Sequence, residues 1–325
     1  MAEVNMVEAI VRAQAQILEE DPQAILLGED IGANGGVFRA TAGLQARFGA
    51  ERVVDTPLCE AGFVGAAIGM CLAGLHPIVE IQFDAFVYPA FEQLVDHAGR
   101  FRWRTRGAYG LAMVLRLPYG GGTKAPELHS DSPETLFSHV PGLRVVVPSD
   151  PRSAGELLLA ASQCGDPVIF MEPKRLYRRG RQAIPSHFEP ADLERAQVVH
   201  EGDDLTLVAY GAMVEVAQQA AATLAEDGVG ARVLDLRSLY PLDHERLVQA
   251  AEQTGRVLVV HEAPRHCGVG AEVAALLQEQ AADRLLAPTL RVTGMDMPFP
   301  LFQNEDDALP SAARVVATAR ALLSY

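Results

Sequence analysis

The run Asp55-Thr-Pro-Leu-Cys-Glu60-Ala-Gly-Phe-Val-Gly-Ala-Ala-Ile-Gly-Met70 sets one carboxylate, Glu60, between a β-branched segment and an apolar helix. A carboxyl group at such a junction has two uses. It can exchange protons with a bound ligand, or it can interact with the helix dipole and steady the first turn. The helix that follows carries Gly62, Gly65, Ala66, Gly69 and Ala73 at three- and four-residue spacings. That pattern leaves one face nearly bare of side chains, where another backbone can approach closely.

Three further constellations fall near the carboxyl ends of predicted strands, the edge where open α/β sheets bind ligands. They are Gln82-Phe-Asp-Ala-Phe86, the loop Pro118-Tyr-Gly-Gly-Gly-Thr-Lys-Ala-Pro-Glu-Leu-His129-Ser130, and Pro148-Ser-Asp-Pro151. The Gly120–Gly122 stretch lacks phosphate-loop spacing and opens no clear helix, so it reads as a flexible loop. His129, taken alone, reads as an exposed or capping histidine. Gly268-Val-Gly270 is a fragment of a dinucleotide fingerprint without its third glycine, which argues against nicotinamide binding. Cys59, Cys71, Cys164 and Cys267 lack metal-ligand spacing and read as reduced thiols of a cytoplasmic protein.

These residues need elements to hold them. Apolar β-branched runs alternate with helical patterns along the whole chain, which predicts α/β architecture with mainly parallel sheets. Strands are expected at 24–27, 52–54, 78–82, 111–117, 144–147 and 168–171, with helices over 6–20, 61–72, 86–101 and 152–163. A polar stretch with Pro185 and Pro190 interrupts the pattern. Beyond it strands are expected at 205–209, 233–236, 257–260 and 290–292, with a last helix over 311–323. The reading is two domains, 1–180 and 203–325, joined by a linker at 181–202.

With 325 residues and 49% hydrophobic content the chain can bury two cores. Its net charge of −15 disfavours nonspecific binding to nucleic acid or anionic membranes. Arg100, Arg102, Arg104 and Arg106 alternate with Phe101 and Trp103, which suits the end of a helix and, second, a subunit contact. The first residues carry acidic groups and no apolar signal region, and no stretch is apolar and long enough to span a membrane.

Eight motifs occur in order: Thr56-Pro-Leu-Cys-Glu60, Glu80-Ile-Gln-Phe83, Pro89-Ala-Phe-Glu-Gln93, His129-Ser-Asp-Ser-Pro133, Glu172-Pro-Lys-Arg-Leu-Tyr177, Asp235-Leu-Arg237, His261-Glu-Ala-Pro264 and Gly294-Met-Asp-Met-Pro298. Together they resemble the β subunit of the thiamine-diphosphate-dependent E1 component of 2-oxo acid dehydrogenase complexes. The resemblance spans essentially the whole chain, and Gln82-Phe83 with Pro89-Ala-Phe91 is most similar to branched-chain members. It implies a transketolase-like pair of three-layer α/β/α domains, an N-terminal pyrimidine-binding domain and a transketolase C-terminal domain.

It also implies roles. Glu60 corresponds to the glutamate that hydrogen-bonds N1′ of the cofactor's aminopyrimidine and so favours its imino tautomer. Leu58, Gln82 and Phe86 correspond to residues of the pyrimidine pocket, with phenylalanine at a position where relatives often have tyrosine. His129 corresponds to the active-site histidine that handles protons during acyl transfer to a lipoyl arm. The chain lacks the Gly-Asp-Gly…Asn motif for Mg2+ and diphosphate, which implies that an α subunit supplies it in an α2β2 heterotetramer. Val114 and Cys164 stand where some relatives place oxygen-bearing potassium ligands, so no metal is assigned to this chain. The implied activity is oxidative decarboxylation of a 2-oxo acid, branched-chain preferred, with reductive acylation of lipoamide on an E2 acyltransferase. The alternatives are a pyruvate or acetoin dehydrogenase β subunit and, from another class, a noncatalytic α/β partner-binding subunit.

Overall fold

The computed structural model describes residues 2–325, apart from the side chains of Ala2 and Gln303. Strand β1 (Ala2–Val4) leads into a helix at Met6–Glu20 whose start is fixed by a capping box between Asn5 and Glu8. The main sheet then takes β2 (Ala24–Gly28), β3 (Val53–Asp55), β4 (His76–Glu80), β5 (Val114–Tyr119), β6 (Arg144–Val146) and β7 (Val168–Pro173). All six run parallel, in the spatial order β6-β7-β5-β4-β2-β3. Parallel strands need crossovers, and helices at Glu60–Leu72 and Pro151–Gln163 supply two of them. β5 and β7 are buried on both faces, as a central parallel strand must be.

The chain continues through β8 (Gln182–Ile184), paired antiparallel with β1, and β9 (Gln197–His200). A second sheet adds β10 (Leu205–Ala209), β11 (Ala231–Asp235), β13 (Val257–His261) and β14 (Leu290–Thr293), with β9 on its edge. Between them β12 (Ser238–Tyr240) crosses back to pair with β6 on the first sheet. Helices at Ala212–Glu226, His244–Thr254, Val269–Gln280 and Ala312–Leu323 cover the second sheet. Each of the two buried apolar clusters draws residues from both halves, so the halves share their core.

Several expectations change. The helix expected over 86–101 is a 3-10 segment (Asp84–Ala90), a π segment (Gln93–Ala98) and an α turn (Gly99–Arg104). Pro89 lies inside the first segment, and a residue without an N–H cannot continue an α-helical ladder. The strand expected from 111 begins at Val114. The stretch read as a linker holds β8 and β9, short edge strands whose polar sequences carry little alternation.

At the centre of the first sheet Arg116, on β5, is 1% exposed. Its guanidinium donates to both oxygens of Glu172 on β7 (2.6 and 2.9 Å), to Glu80 on β4, and to Gln14 of the first helix (3.3 Å). The Tyr177 hydroxyl donates to the same Glu172. Burial pushes the Glu80 carboxyl up, and Arg116 opposes that. Removing the cation would leave two carboxylates buried together. Arg116→Met should therefore lower unfolding stability by about 3–5 kcal/mol, measured by urea titration at neutral pH.

Candidate active site

Because β3, β2, β4 and β5 lie side by side and parallel, the segments that leave their carboxyl ends share one edge. Leu58 and Glu60 follow β3, Glu29 follows β2, Gln82 and Phe86 follow β4, and the Gly120–His129 loop follows β5. Glu60 is the first residue of the Glu60–Leu72 helix, and the cap residue Cys59 supplies no side-chain hydrogen bond. The carboxylate is half-buried, and its charge helps to raise the Glu29 carboxyl after burial and Asp30. Asp55 does not point to a ligand: it accepts N–H groups from Gly32 (2.5 Å) and Ala33 (3.2 Å) and shapes the loop after β2. Leu58 is 70% exposed on the same rim.

The second set of residues is held by aromatic rings. The His129 imidazole lies 4.2 Å from the Phe83 ring and 5.1 Å from the Phe86 ring, centroid to centroid. Phe83 is backed by Phe38 at 5.3 Å. His129 Nδ1 lies 2.8 Å from the carbonyl of Glu127. A carbonyl only accepts, so Nδ1 carries a proton, and in the neutral tautomer this fixes, Nε2 is the acceptor. The structure thus joins Phe86 with His129 and Glu60 with Leu58. Among the described residues no hydrogen bond or ring contact links the two sets.

Beneath His129, buried Asp84 accepts from Lys174 and from the backbone N–H of Asp131 (3.0 Å). Burial works against both charges of that pair, pushing the Asp84 carboxyl up and the Lys174 ammonium down, while each partner opposes the other's shift. Gly120 N–H donates to the Asp131 carbonyl at 2.9 Å and closes the neck of the loop. The glycines are not free. Added Cβ atoms at Gly120 and Gly122, both at positive φ, would lie within 3 Å of Glu262 and Arg175. Gly268 and Gly270 likewise abut the buried His261 ring, which explains that fragment as packing.

Sequence reasoning missed Glu29, Lys174, Glu134, Glu262 and Glu305. Glu29 carried a signal, two residues beyond the strand expected at 24–27. Lys174 and Glu262 lie inside the motifs 172–177 and 261–264, which do not reveal their partners, while Glu134 and Glu305 act across the fold and carry no local signal. Glu134, on the Glu134–Ser138 turn, accepts from the Tyr210 hydroxyl at 2.6 Å. Burial raises its carboxyl to about 8, and raises Asp235 and Glu262 to about 7 each. His261 moves the opposite way, held neutral by burial with its pKa down to about 4.

The signs give a test. A carboxyl with a folded pKa above its unfolded value binds its proton more tightly when folded, so its contribution is lost as pH rises through the folded value. His261 is neutral in both states above pH 7 and drops out of that window. Urea stability should fall from pH 7 to 8.5, and Glu134→Gln should flatten the fall while keeping an acceptor for Tyr210.

Residues 2–180 match the transketolase pyrimidine binding domain and residues 194–315 the transketolase C-terminal domain. The chain is 44% identical to the pyruvate dehydrogenase E1 component subunit beta of Acholeplasma laidlawii, over 99% of this chain and 98% of that protein. It is equally 44% identical to the 2-oxoisovalerate dehydrogenase subunit beta of Pseudomonas aeruginosa, over 97% and 93%. A solved split-gene transketolase, described as an inactive β4 tetramer, superposes with a TM-score of 0.81 over 99% of both chains. At 24% identity that likeness speaks for the fold alone.

Proposed function

We propose a function from one premise: this chain belongs to the β-subunit family of 2-oxo acid dehydrogenase E1 components, oxidoreductases built on transketolase-like domains. In this reading it serves thiamine-diphosphate-dependent oxidative decarboxylation of a 2-oxo acid and acylation of a lipoyl arm on an E2 acyltransferase. The observation that carries it is a half-buried carboxylate, Glu60, opening a helix on the sheet edge that also bears His129. Residues 1–180 serve as the pyrimidine-binding module, 181–202 as its connection and 203–325 as the C-terminal module.

The residues suit the aminopyrimidine half of the cofactor. Phe86 and Leu58 offer apolar surface, Gln82 an amide, and Glu60 a carboxyl on the open rim. When bound, thiamine diphosphate supplies an acidic thiazolium carbon and an electron sink. Glu60 holds a proton at the pyrimidine N1′. Phe86 fixes the ring plane without the hydroxyl a tyrosine would bring. His129, whose Nε2 can accept in the neutral ring, gives and takes protons as the acyl group passes to the lipoyl sulfur. Across the reaction the bond to the carboxylate breaks as CO2 leaves. The acyl carbon loses two electrons, and the lipoyl disulfide gains them, one sulfur taking the acyl group and the other a proton.

Mg2+ and diphosphate are assigned mainly to an α subunit in an α2β2 assembly. Among the described residues no group of three His, Cys, Asp or Glu side chains is placed to hold a metal ion. Two surfaces fit subunit contacts. Gly62, Ala66 and Gly69 lie exposed on the Glu60–Leu72 helix. Trp103, 87% exposed, stands among the arginines at the end of the Gly99–Arg104 turn. Among the described residues no helix is long and apolar enough to cross a membrane.

Branched-chain 2-oxo acids are the proposed substrates, on the Gln82-Phe83 and Pro89-Ala-Phe91 wording. Pyruvate is the second reading, because a pyruvate and a 2-oxoisovalerate relative stand at the same identity. Reconstituted with an α subunit, thiamine diphosphate and Mg2+, the chain should decarboxylate three branched-chain 2-oxo acids faster than pyruvate. Equal rates would defeat the preference. Glu60→Gln should slow cofactor C2 proton exchange by about 100-fold or more, whereas His129→Ala should retain exchange and fail in acyl transfer. Unchanged exchange in Glu60→Gln would remove the proposed role.

A further inference from the structure

The glycine loop that delivers His129 is gripped from the other half of the chain. Glu305, 1% exposed, takes three consecutive backbone N–H groups: its Oε1 accepts from Gly122 and Thr123 (3.0 Å) and its Oε2 from Lys124 (2.7 Å). Glu262, at the end of β13, accepts from Gly121 at 3.0 Å. Four successive N–H groups therefore converge on two carboxylates of the C-terminal half. Such a run of N–H groups forms an anion-binding concavity, and here the chain fills it with its own carboxylate. Space is no substitute for this grip, because a Cβ at Gly121 would collide with Phe299.

We propose that Glu305, assisted by Glu262, is a positioning residue for His129. The inference rests on the acyl-transfer role given to His129 above. Hydrogen bonds to an ionised carboxylate are stronger than neutral ones, and three on one side chain fix the loop in position as well as in height over the sheet. The neck bond from Gly120 to Asp131 and the Nδ1 bond to Glu127 then transmit that position to the imidazole. Glu60 lies on a different strand end and is outside the path. Loss of the grip should consequently disturb acyl transfer and spare decarboxylation. The Lys124–Asp306 pair beside it is exposed on both sides and adds little.

The test uses the full chain assembled with its α subunit. Glu305→Gln keeps the shape but turns one acceptor into a donor facing N–H groups. It should speed hydrogen exchange at Gly122, Thr123 and Lys124 at least tenfold, lower lipoyl-domain acylation about tenfold, and leave dye-coupled decarboxylation within twofold. Glu262→Gln, touching one N–H group, should produce a smaller version of the same split, and Asp306→Asn none of it. Unchanged exchange in Glu305→Gln overturns the proposal, and so does faster exchange with normal acylation when His129→Ala abolishes acylation. Normal acylation by His129→Ala overturns instead the role on which the inference stands.

Discussion

The structure depends on one buried cation. Arg116 sits mid-sheet with carboxylates on both sides, and its donors reach β4, β7 and the first helix at once. A guanidinium suits this position because its planar fork serves Glu172 through two parallel bonds while a third nitrogen serves Glu80. A lysine would reach one partner at a time. With β4, β5 and β7 locked in register near their carboxyl ends, the segments leaving those ends inherit fixed starting points. Phe83 and Phe86 follow β4 three and six residues beyond Glu80, the glycine loop leaves β5, and Lys174 follows Glu172 closely. The aromatic cradle of His129 and the Asp84–Lys174 pair beneath it are thus continuations of the same three strands.

A second constraint lies where the two halves meet. β12 adds itself to the first sheet, and Tyr119, Tyr210, Glu134 and Glu262 are all buried there. Burial favours the protonated form of a carboxyl, which is why Glu134 and Glu262 move up toward neutral pH, Glu262 against the opposing pull of Arg175 and Lys174. Glu262 keeps an N–H donor from Gly121 and Glu134 a hydroxyl donor from Tyr210, so each can hold a negative charge when it loses its proton. The interface is therefore polar by design of the loop it holds, not a leftover of imperfect packing.

How much of this could be read from the sequence follows from what each feature depends on. The long parallel strands and the helices at Met6–Glu20 and Pro151–Gln163 are written locally, in β-branched runs, helical periodicity, Asn5-x-x-Glu8 and Asp150-Pro151. β8, β9 and β12 were missed because three or four residues carry too few alternations, and their existence depends on partners far along the chain. The break at Pro89 is written in the sequence, where a residue without an N–H competes with a strong apolar repeat. For the site, Glu60 and His129 stood out through motif wording and position relative to strands. Glu305 could not, since a carboxylate that accepts N–H groups from a loop 182 residues away looks like any other acidic residue, and Glu262 stood in the motif 261–264 without any sign of the loop it holds.

The same reasoning bears on Glu60. A carboxylate in the first turn of a helix always interacts favourably with the dipole, so its place alone does not separate support from chemistry. Support would be served best by a side chain turned back onto the backbone, as Asn5 and Asp150 are at their helices, each with a capping bond. At Glu60 the cap position is Cys59, which makes no such bond, and the helix face beyond is almost bare. Glu29 carries a like charge close enough for Glu60 to help raise its carboxyl. A helix start with a like charge beside it and no capping bond is poorly arranged for stability. It is well arranged to receive a proton-bearing heterocycle that would relieve the repulsion, and that asymmetry favours chemistry over support at this carboxylate.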